Sequence, residues 1–232
     1  MNKVCSYLDD FFSLFFPVLC AACQKSLFKN ESVICTDCIY HLPYTNFHLE
    51  KDNRVARQLW GRIPFSVSGS YLYFHKGSRV QTLLHQFKYN NKPEIGVKLG
   101  EMYGHILHNT ASYQDVDLII PVPLHEGKLK IRGYNQSDCF AKGLSNSMDI
   151  PLFPRMLKQI VSTSTQTKKS RFSRYENMKD IFEVTDPEAI AGKHILLVDD
   201  VITTGATIEA CSIKILEVAG TRISIATIAF TD

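Results

Sequence analysis

No stretch of this 232-residue sequence strings together the roughly 20 apolar residues that a membrane span needs. Net charge is nearly as scarce. Against 26 lysines and arginines stand 23 aspartates and glutamates, leaving +3, too little to argue for a nucleic-acid or membrane surface from bulk electrostatics. Internal repeats and low-complexity tracts are missing too. An amphipathic helix is expected at the N-terminus in preference to a secretory signal: MNKVCSYLDDFFSLFFPVLC carries one lysine and no small-residue cleavage site, and Asp9 and Asp10 fall where an apolar signal core should start. The expectation is a cytoplasmic protein whose residues 7–16 form an amphipathic helix capping a core. What remains, 45% hydrophobic and 21% charged residues, is ordinary for a globular chain of one substantial domain plus a small one.

Seven cysteines do not make a disulfide framework here. CAAC supplies Cys20 and Cys23, CTDC supplies Cys35 and Cys38, and eleven residues separate the pairs. Two residues between thiolates let one tight turn present both sulfurs to one ion, and two such turns complete a tetrahedral site. A redox dithiol needs one such pair at a helix start inside a βαβ unit, which this stretch lacks. A structural zinc ion is therefore predicted, able to fold a module too small to hold itself. Cys139 and Cys211 fall in helical patterns as small core residues.

After Cys38 no period is clear until residue 66, apart from one short helix predicted around residues 53–60. SVSGSYLYF alternates as a strand does. SRVQTLLHQFKYNNK and PEIGVKLGEMYGHILHNTA carry helical spacing, with Val80, Leu83, Leu84 and Phe87 on one face and Leu99, Met102, Tyr103, Ile106 and Leu107 on the next. From Asp117 short apolar strands alternate with helices: DLIIPV, NQSDCFAKGLSNSM capped by Asn135, RMLKQI, HILLVDD, TIEACSIKILEVAG closed by Gly220, and RISIATIAF. Such alternation predicts a parallel α/β sheet with ligands at the carboxyl ends of its strands. The expected organisation is an N-terminal helix and zinc module at 1–45, a connector at 46–66 and the α/β domain at 67–232.

ILLVDDVITTGAT, a strand running into Asp199 and Asp200, admits three readings. A receiver domain places its acidic pair near its own start, whereas only 32 residues follow Asp200. A nucleotide triphosphatase needs a G-x-x-x-x-G-K-[ST] loop, and neither Gly127-Lys128 nor Gly192-Lys193 has the flanking residues. A ribose-phosphate site survives. Two carboxylates can accept hydrogen bonds from vicinal hydroxyls. Thr203, Thr204, Gly205, Ala206 and Thr207 lead into a helix whose free N–H groups favour an anion, and Gly205 lets the backbone approach closely.

That stretch resembles the signature of type I phosphoribosyltransferases, the fold that binds 5-phosphoribosyl-1-pyrophosphate (PRPP) with magnesium. LIIPVPLHEGKLKIRGYNQ sits where that fold keeps its pyrophosphate loop, and STSTQTKKSRFSRYENMKDIF where it keeps a mobile hood. The four-cysteine module, LLHQFKYNNKPEIGVKLGEMYG, PVPLHEGKLKIRGYNQ and the PRPP signature, in that order, resemble the competence protein F (ComF, GntX-like) family over nearly the whole chain. Family members often carry arginine where this chain has Lys128 and Lys130; Arg132-Gly133-Tyr134-Asn135-Gln136 is intact.

The resemblance implies an α/β, parallel-sheet (Rossmann-like) fold with a small zinc module, and a role in natural competence and DNA uptake. Asp199 and Asp200 are the implied catalytic pair, with Val201 and Thr203–Thr207 around the phosphate. Pro123, Leu124, His125, Lys128 and Arg132 lie on the pyrophosphate side, and Arg171 and Arg174 in the hood. Magnesium would be held mainly by PRPP oxygens. His125 is either an acid or a surface residue, Asn135 and Gln136 either touch substrate or cap a helix, and the hood cations can be no more than a solvated loop. No hood residue names the acceptor. Two readings stand: a phosphoribosyltransferase, or an adaptor that senses PRPP or a nucleotide and meets single-stranded DNA or DNA-processing proteins.

Overall fold

The computed structural model of the chain describes residues 16–160 and 181–231. The predicted helix at 7–16 lies outside them except for Phe16, which is exposed, and the hood stretch at 162–182 lies outside them except for Ile181 and Phe182. The first described helix, α1 (Thr36–Tyr40), is capped by Cys35 and carries Cys38, so it holds the second cysteine pair. The predicted connector helix is α2 (Arg54–Leu59), started by Asn53, whose side chain accepts the N–H of Ala56 at 3.0 Å. Strand β1 (Ser68–Tyr73) leads to α3 (Arg79–Tyr89) and α4 (Pro93–His108). Val80, Leu83, Leu84 and Phe87 are all buried, as the spacing requires of one apolar face. Then come β2 (Leu118–Pro121), α5 (Glu126–Arg132), α6 (Gln136–Met148), and β3 (Leu157–Gln159). The chain closes with β4 (Phe182–Val184), α7 (Pro187–Ile190), β5 (His194–Ile202), α8 (Ala206–Leu216) and β6 (Arg222–Phe230).

Four strands form one parallel sheet in the order β1-β6-β5-β2, and β3 and β4 make a separate antiparallel ribbon. Successive residues of β5 alternate between two cores. Leu196 and Val198 pack with α3, α4, α6 and the cysteine module, whereas Ile195 and Leu197 pack with α2 and α8. Burial on both faces explains why this strand reads as an unbroken apolar run.

Two differences from the expectations have physical causes. The stretch expected as a pyrophosphate loop folds partly into α5, none of whose residues is buried, so no apolar periodicity marks it. Gly220 does not close α8, which ends at Leu216; it turns the chain at φ +74° just before β6.

Helices α4 and α6 approach more closely than bulky side chains permit. A Cβ on Gly143 would lie 2.1 Å from the Val97 carbonyl oxygen, and one on Gly100 would lie 2.2 Å from that of Phe140. This contact fixes the N-terminus of α6 beside the end of β5, where the acidic pair emerges.

Candidate functional site

The cleft opens because neighbouring strands stop at different lengths. Strand β2 ends at Pro121, paired with Val198, while β5 continues beside β6 as far as Ile202. Past that step the chain after β2 turns away into α5, and Asp199 and Asp200 line a cleft of about 420 Å³. Val201, Ala206 and Thr207 line it with them, as do Pro123, Leu124, His125, Lys128 and Arg132 from the other side. The sequence-predicted residues of two distant segments thus share one concavity. Thr203 and Thr204 are exposed beside it and Gly205 is buried. Arg171 and Arg174 lie outside the described residues. A larger groove of about 660 Å³ lies between Ile39 and Tyr44 and the face of α4, and it holds none of the predicted site residues.

The acidic pair is held asymmetrically. Oδ1 of Asp199 accepts the Ser137 hydroxyl at 2.9 Å and the Asp200 N–H at 2.8 Å. Oδ2 of Asp200 pairs with Nζ of Lys88 at 2.6 Å. That leaves Oδ2 of Asp199 and Oδ1 of Asp200 without partners among the described residues, two acceptors for two vicinal hydroxyls. Burial, reinforced by the neighbouring Asp200 charge, pushes the Asp199 carboxyl up to about 7 despite those donors and Lys88.

The loop after the acidic pair is shaped from behind. Gly205 takes φ +73°, a conformation costly for residues with a Cβ, and a Cβ there would meet Leu59 at 2.8 Å. The side chain of Gln58 donates to the Thr203 carbonyl. Arg62 donates to the Thr204 carbonyl at 2.7 Å and pairs with the buried Glu209 of α8. The Ala206 N–H donates to the Thr204 hydroxyl at 3.4 Å, and with those carbonyls drawn toward α2 the N–H groups of Thr207 and Ile208 at the start of α8 remain for an anion.

On the opposite side His125 caps α5, its Nδ1 accepting the Gly127 N–H at 3.1 Å, and its side chain is exposed. Arg132 donates to Gln136 at 2.7 Å and lies 5.7 Å over the exposed Tyr89 ring. Asn135 starts α6 by accepting the Ser137 N–H at 3.2 Å. Lys88, Ser137, Gln58 and Arg62 escaped the sequence reading. A buried acid on the apolar face of α8, Glu209, was the one local sign that a cation had to reach it.

The four cysteines converge as their spacing predicts. Their sulfurs all lie within 4.8 Å of one another, and Cys23 and Cys35 are 3.8 Å apart. A tetrahedral zinc–thiolate site with bonds of about 2.3 Å has sulfur–sulfur edges of about 3.8 Å. Backbone N–H groups of Ala22 and Cys35 point at the Cys20 sulfur, and that of Cys38 at Cys35. Burial opposes ionisation of Cys20, yet the backbone N–H groups of Cys35, Cys23 and Ala22, with the Cys23 thiol, draw its thiol down to about 7. The donor set fits zinc.

Residues 136–231 match the family model described as phosphoribosyl transferase domain. Competence protein F of Haemophilus influenzae is 30% identical over 207 residues, covering 87% of this chain and 85% of that protein. The chain belongs to the competence protein F family. The DNA utilization protein YhgH of Escherichia coli (strain K12) is 28% identical over 194 residues, 82% of this chain and 80% of that one. Among solved structures, the glutamine PRPP amidotransferase of B. subtilis complexed with ADP and GMP superposes with a TM-score of 0.44 at 18% identity, over 62% of this chain and 30% of that chain. The family match and the parallel sheet identify the type I phosphoribosyltransferase fold, carrying a four-cysteine cluster near its N-terminus. No described helix is long and apolar enough to cross a membrane.

Proposed function

We propose that the cleft binds PRPP with magnesium and that the protein transfers its phosphoribosyl group to an acceptor, in the service of natural competence and DNA uptake in the cytoplasm. One observation carries this reading. The two open carboxylate oxygens of Asp199 and Asp200 share a cleft with Ala206 and Thr207 at the N-terminus of α8, matching a diol and a 5-phosphate on one sugar. In the reaction, an acceptor lone pair forms a bond to C1 as the C1–oxygen bond breaks and pyrophosphate leaves with the electron pair. Charge developing on the sugar is stabilised by the acidic pair. Lys128 and Arg132 lie on the side of the leaving group. Bound magnesium supplies charge neutralisation of the pyrophosphate. The reading divides the chain into a zinc module at 1–45, a connector at 46–66 and the phosphoribosyltransferase domain at 67–232, with the hood cations Arg171 and Arg174 excluding water.

Calorimetric titration with PRPP and magnesium tests it, followed by a screen of nucleobases and amines for pyrophosphate release. Binding is expected in the wild type and loss of both binding and release in Asp199→Asn/Asp200→Asn. No heat of binding in the wild type at millimolar PRPP would refute the reading.

A second reading, a non-catalytic adaptor for single-stranded DNA or DNA-processing proteins, is favoured by the far rim of the cleft. Exposed Lys128 and Lys130 stand on α5, and the exposed Tyr89 ring lies under Arg132, a cation–aromatic pairing suited to stacked bases. PRPP binding without turnover for any acceptor, together with salt-sensitive binding of single-stranded DNA, would favour the adaptor.

A further inference from the structure

Lys88 belongs to none of the segments from which the site was predicted, yet it reaches the centre of the cleft. Its position is set by the core. The apolar face of α3 fixes the helix rotation, and its last buried residue, Phe87, packs 5.8 Å from the Tyr134 ring. The Tyr134 hydroxyl donates to the Phe87 carbonyl, tying this end of α3 to the segment between α5 and α6. The next side chain therefore projects from a fixed backbone, with Nζ 2.6 Å from Oδ2 of Asp200. Lysine and aspartate side chains are only 20% and 16% exposed, unlike the solvated surface pairs that contribute little.

A carboxylate that must offer one oxygen to a ligand gains from having the other held. Ser137 and the Asp200 N–H do this for Asp199 by occupying its Oδ1. Among the described residues Asp200 has one side-chain partner for the same purpose, Lys88. The other described lysine and arginine lining the cleft, Lys128 and Arg132, stand on α5, with Arg132 already bound to Gln136.

We propose that Lys88 is a positioning residue of the sugar site, whose ammonium clamps Oδ2 of Asp200 and so presents Oδ1 to a ribose hydroxyl. This rests on the reading of the cleft as a PRPP site. Lys88 acts through Asp200 rather than on the ligand, and it makes α3, a helix before the sheet's second strand, part of the binding apparatus.

A double-mutant cycle measured by calorimetry with PRPP and magnesium tests the clamp. Lys88→Met is expected to weaken binding by about tenfold, equivalent to 1.4 kcal/mol, while Lys88→Arg restores most of it. Asp200→Asn is expected to weaken binding as well, and Lys88→Met/Asp200→Asn no further, because the lysine has nothing left to position. Should Lys88→Met not fold, as judged by its melting transition, Lys88→Gln replaces it in the cycle. Wild-type affinity in Lys88→Met overturns the proposal. So do losses that multiply in the double variant, which would mean direct contact between Lys88 and a phosphate. If the wild type binds neither PRPP with magnesium nor ribose 5-phosphate, the ribose-phosphate reading itself falls, and the clamp with it.

Discussion

Asp199 binds its proton more tightly in the folded protein than an ordinary aspartate does, because burial and Asp200 raise it from 3.8 to about 7. The sign of the consequence follows from linkage. Between those values the folded state holds more protons than the unfolded one, so stability falls as pH rises, and the contribution present below about 3.8 is gone above about 7. Denaturant titrations at pH 5 and pH 8 should show a larger decline in the wild type than in Asp199→Asn. Asp138, pushed up to about 6 by burial, titrates in both proteins and cancels in the comparison. Equal declines would show that Asp199 is not so perturbed. A bound diol donates best to the ionised pair, so PRPP affinity should rise from pH 6 to pH 8. At this scale the sequence made Asp199 and Asp200 legible, because a strand end announces itself by where an apolar run stops. Ser137, 62 residues away, and Lys88 were hidden. Which side chains meet across a cleft depends on helix rotations that no local pattern records.

Among the elements, α2 contributes out of proportion to its length. It was read as part of a connector, yet Leu59 and the neighbouring Arg62 form the back wall of the loop that follows the acidic pair. Gly205→Ala adds a Cβ where φ is +73° and Leu59 stands 2.8 Å away, a strain of about 1–3 kcal/mol. The expected result is a lower melting temperature together with a weaker affinity for ribose 5-phosphate. Arg62→Met removes the hydrogen bond to the Thr204 carbonyl and an ion pair of the buried Glu209, a loss of roughly 2 kcal/mol, and adding Glu209→Gln should recover part of the stability but not the affinity. Recovery of both would mean that the Thr204 carbonyl needs no anchor. Helices with one buried face, such as α3 and α4, were readable from spacing. The helix α5 was not, since Leu129 and Ile131 are exposed and its charges speak to solvent or ligand. The close contact of α4 with α6 was also out of reach, because glycines in a helix record where a neighbour approaches without saying which.

For the molecule as a whole, the cysteine module is not a separate bead. Cys20, Ile34 and Cys38 belong to the same buried cluster as Tyr71, Leu84 and Val198, and Asp37 of α1 pairs with Arg79 at the start of α3 at 3.3 Å. Metal loss should therefore destabilise the sheet as well as the module. Metal analysis is expected to find about one equivalent of zinc, and chelation or Cys20→Ser should lower the single melting transition of the whole protein. A Cys20→Ser protein that keeps both metal and melting temperature would remove the case for a structural ion.

The parallel sheet has an implication for the order of events during synthesis. Strand β1 finds its ladder partner in β6, with Ser68 opposite Ile225, and β2 finds its own in β5. Neither early strand has its ladder partner until β5 and β6 have left the ribosome. Parallel pairings across such sequence separations are slow to form, so the half-made chain must carry apolar strands that wait. The cleft, built at the end of β5 and the start of α8 and backed by α2, comes into being only once those late elements have emerged. Until then the nascent chain exposes apolar surface of the kind chaperones bind.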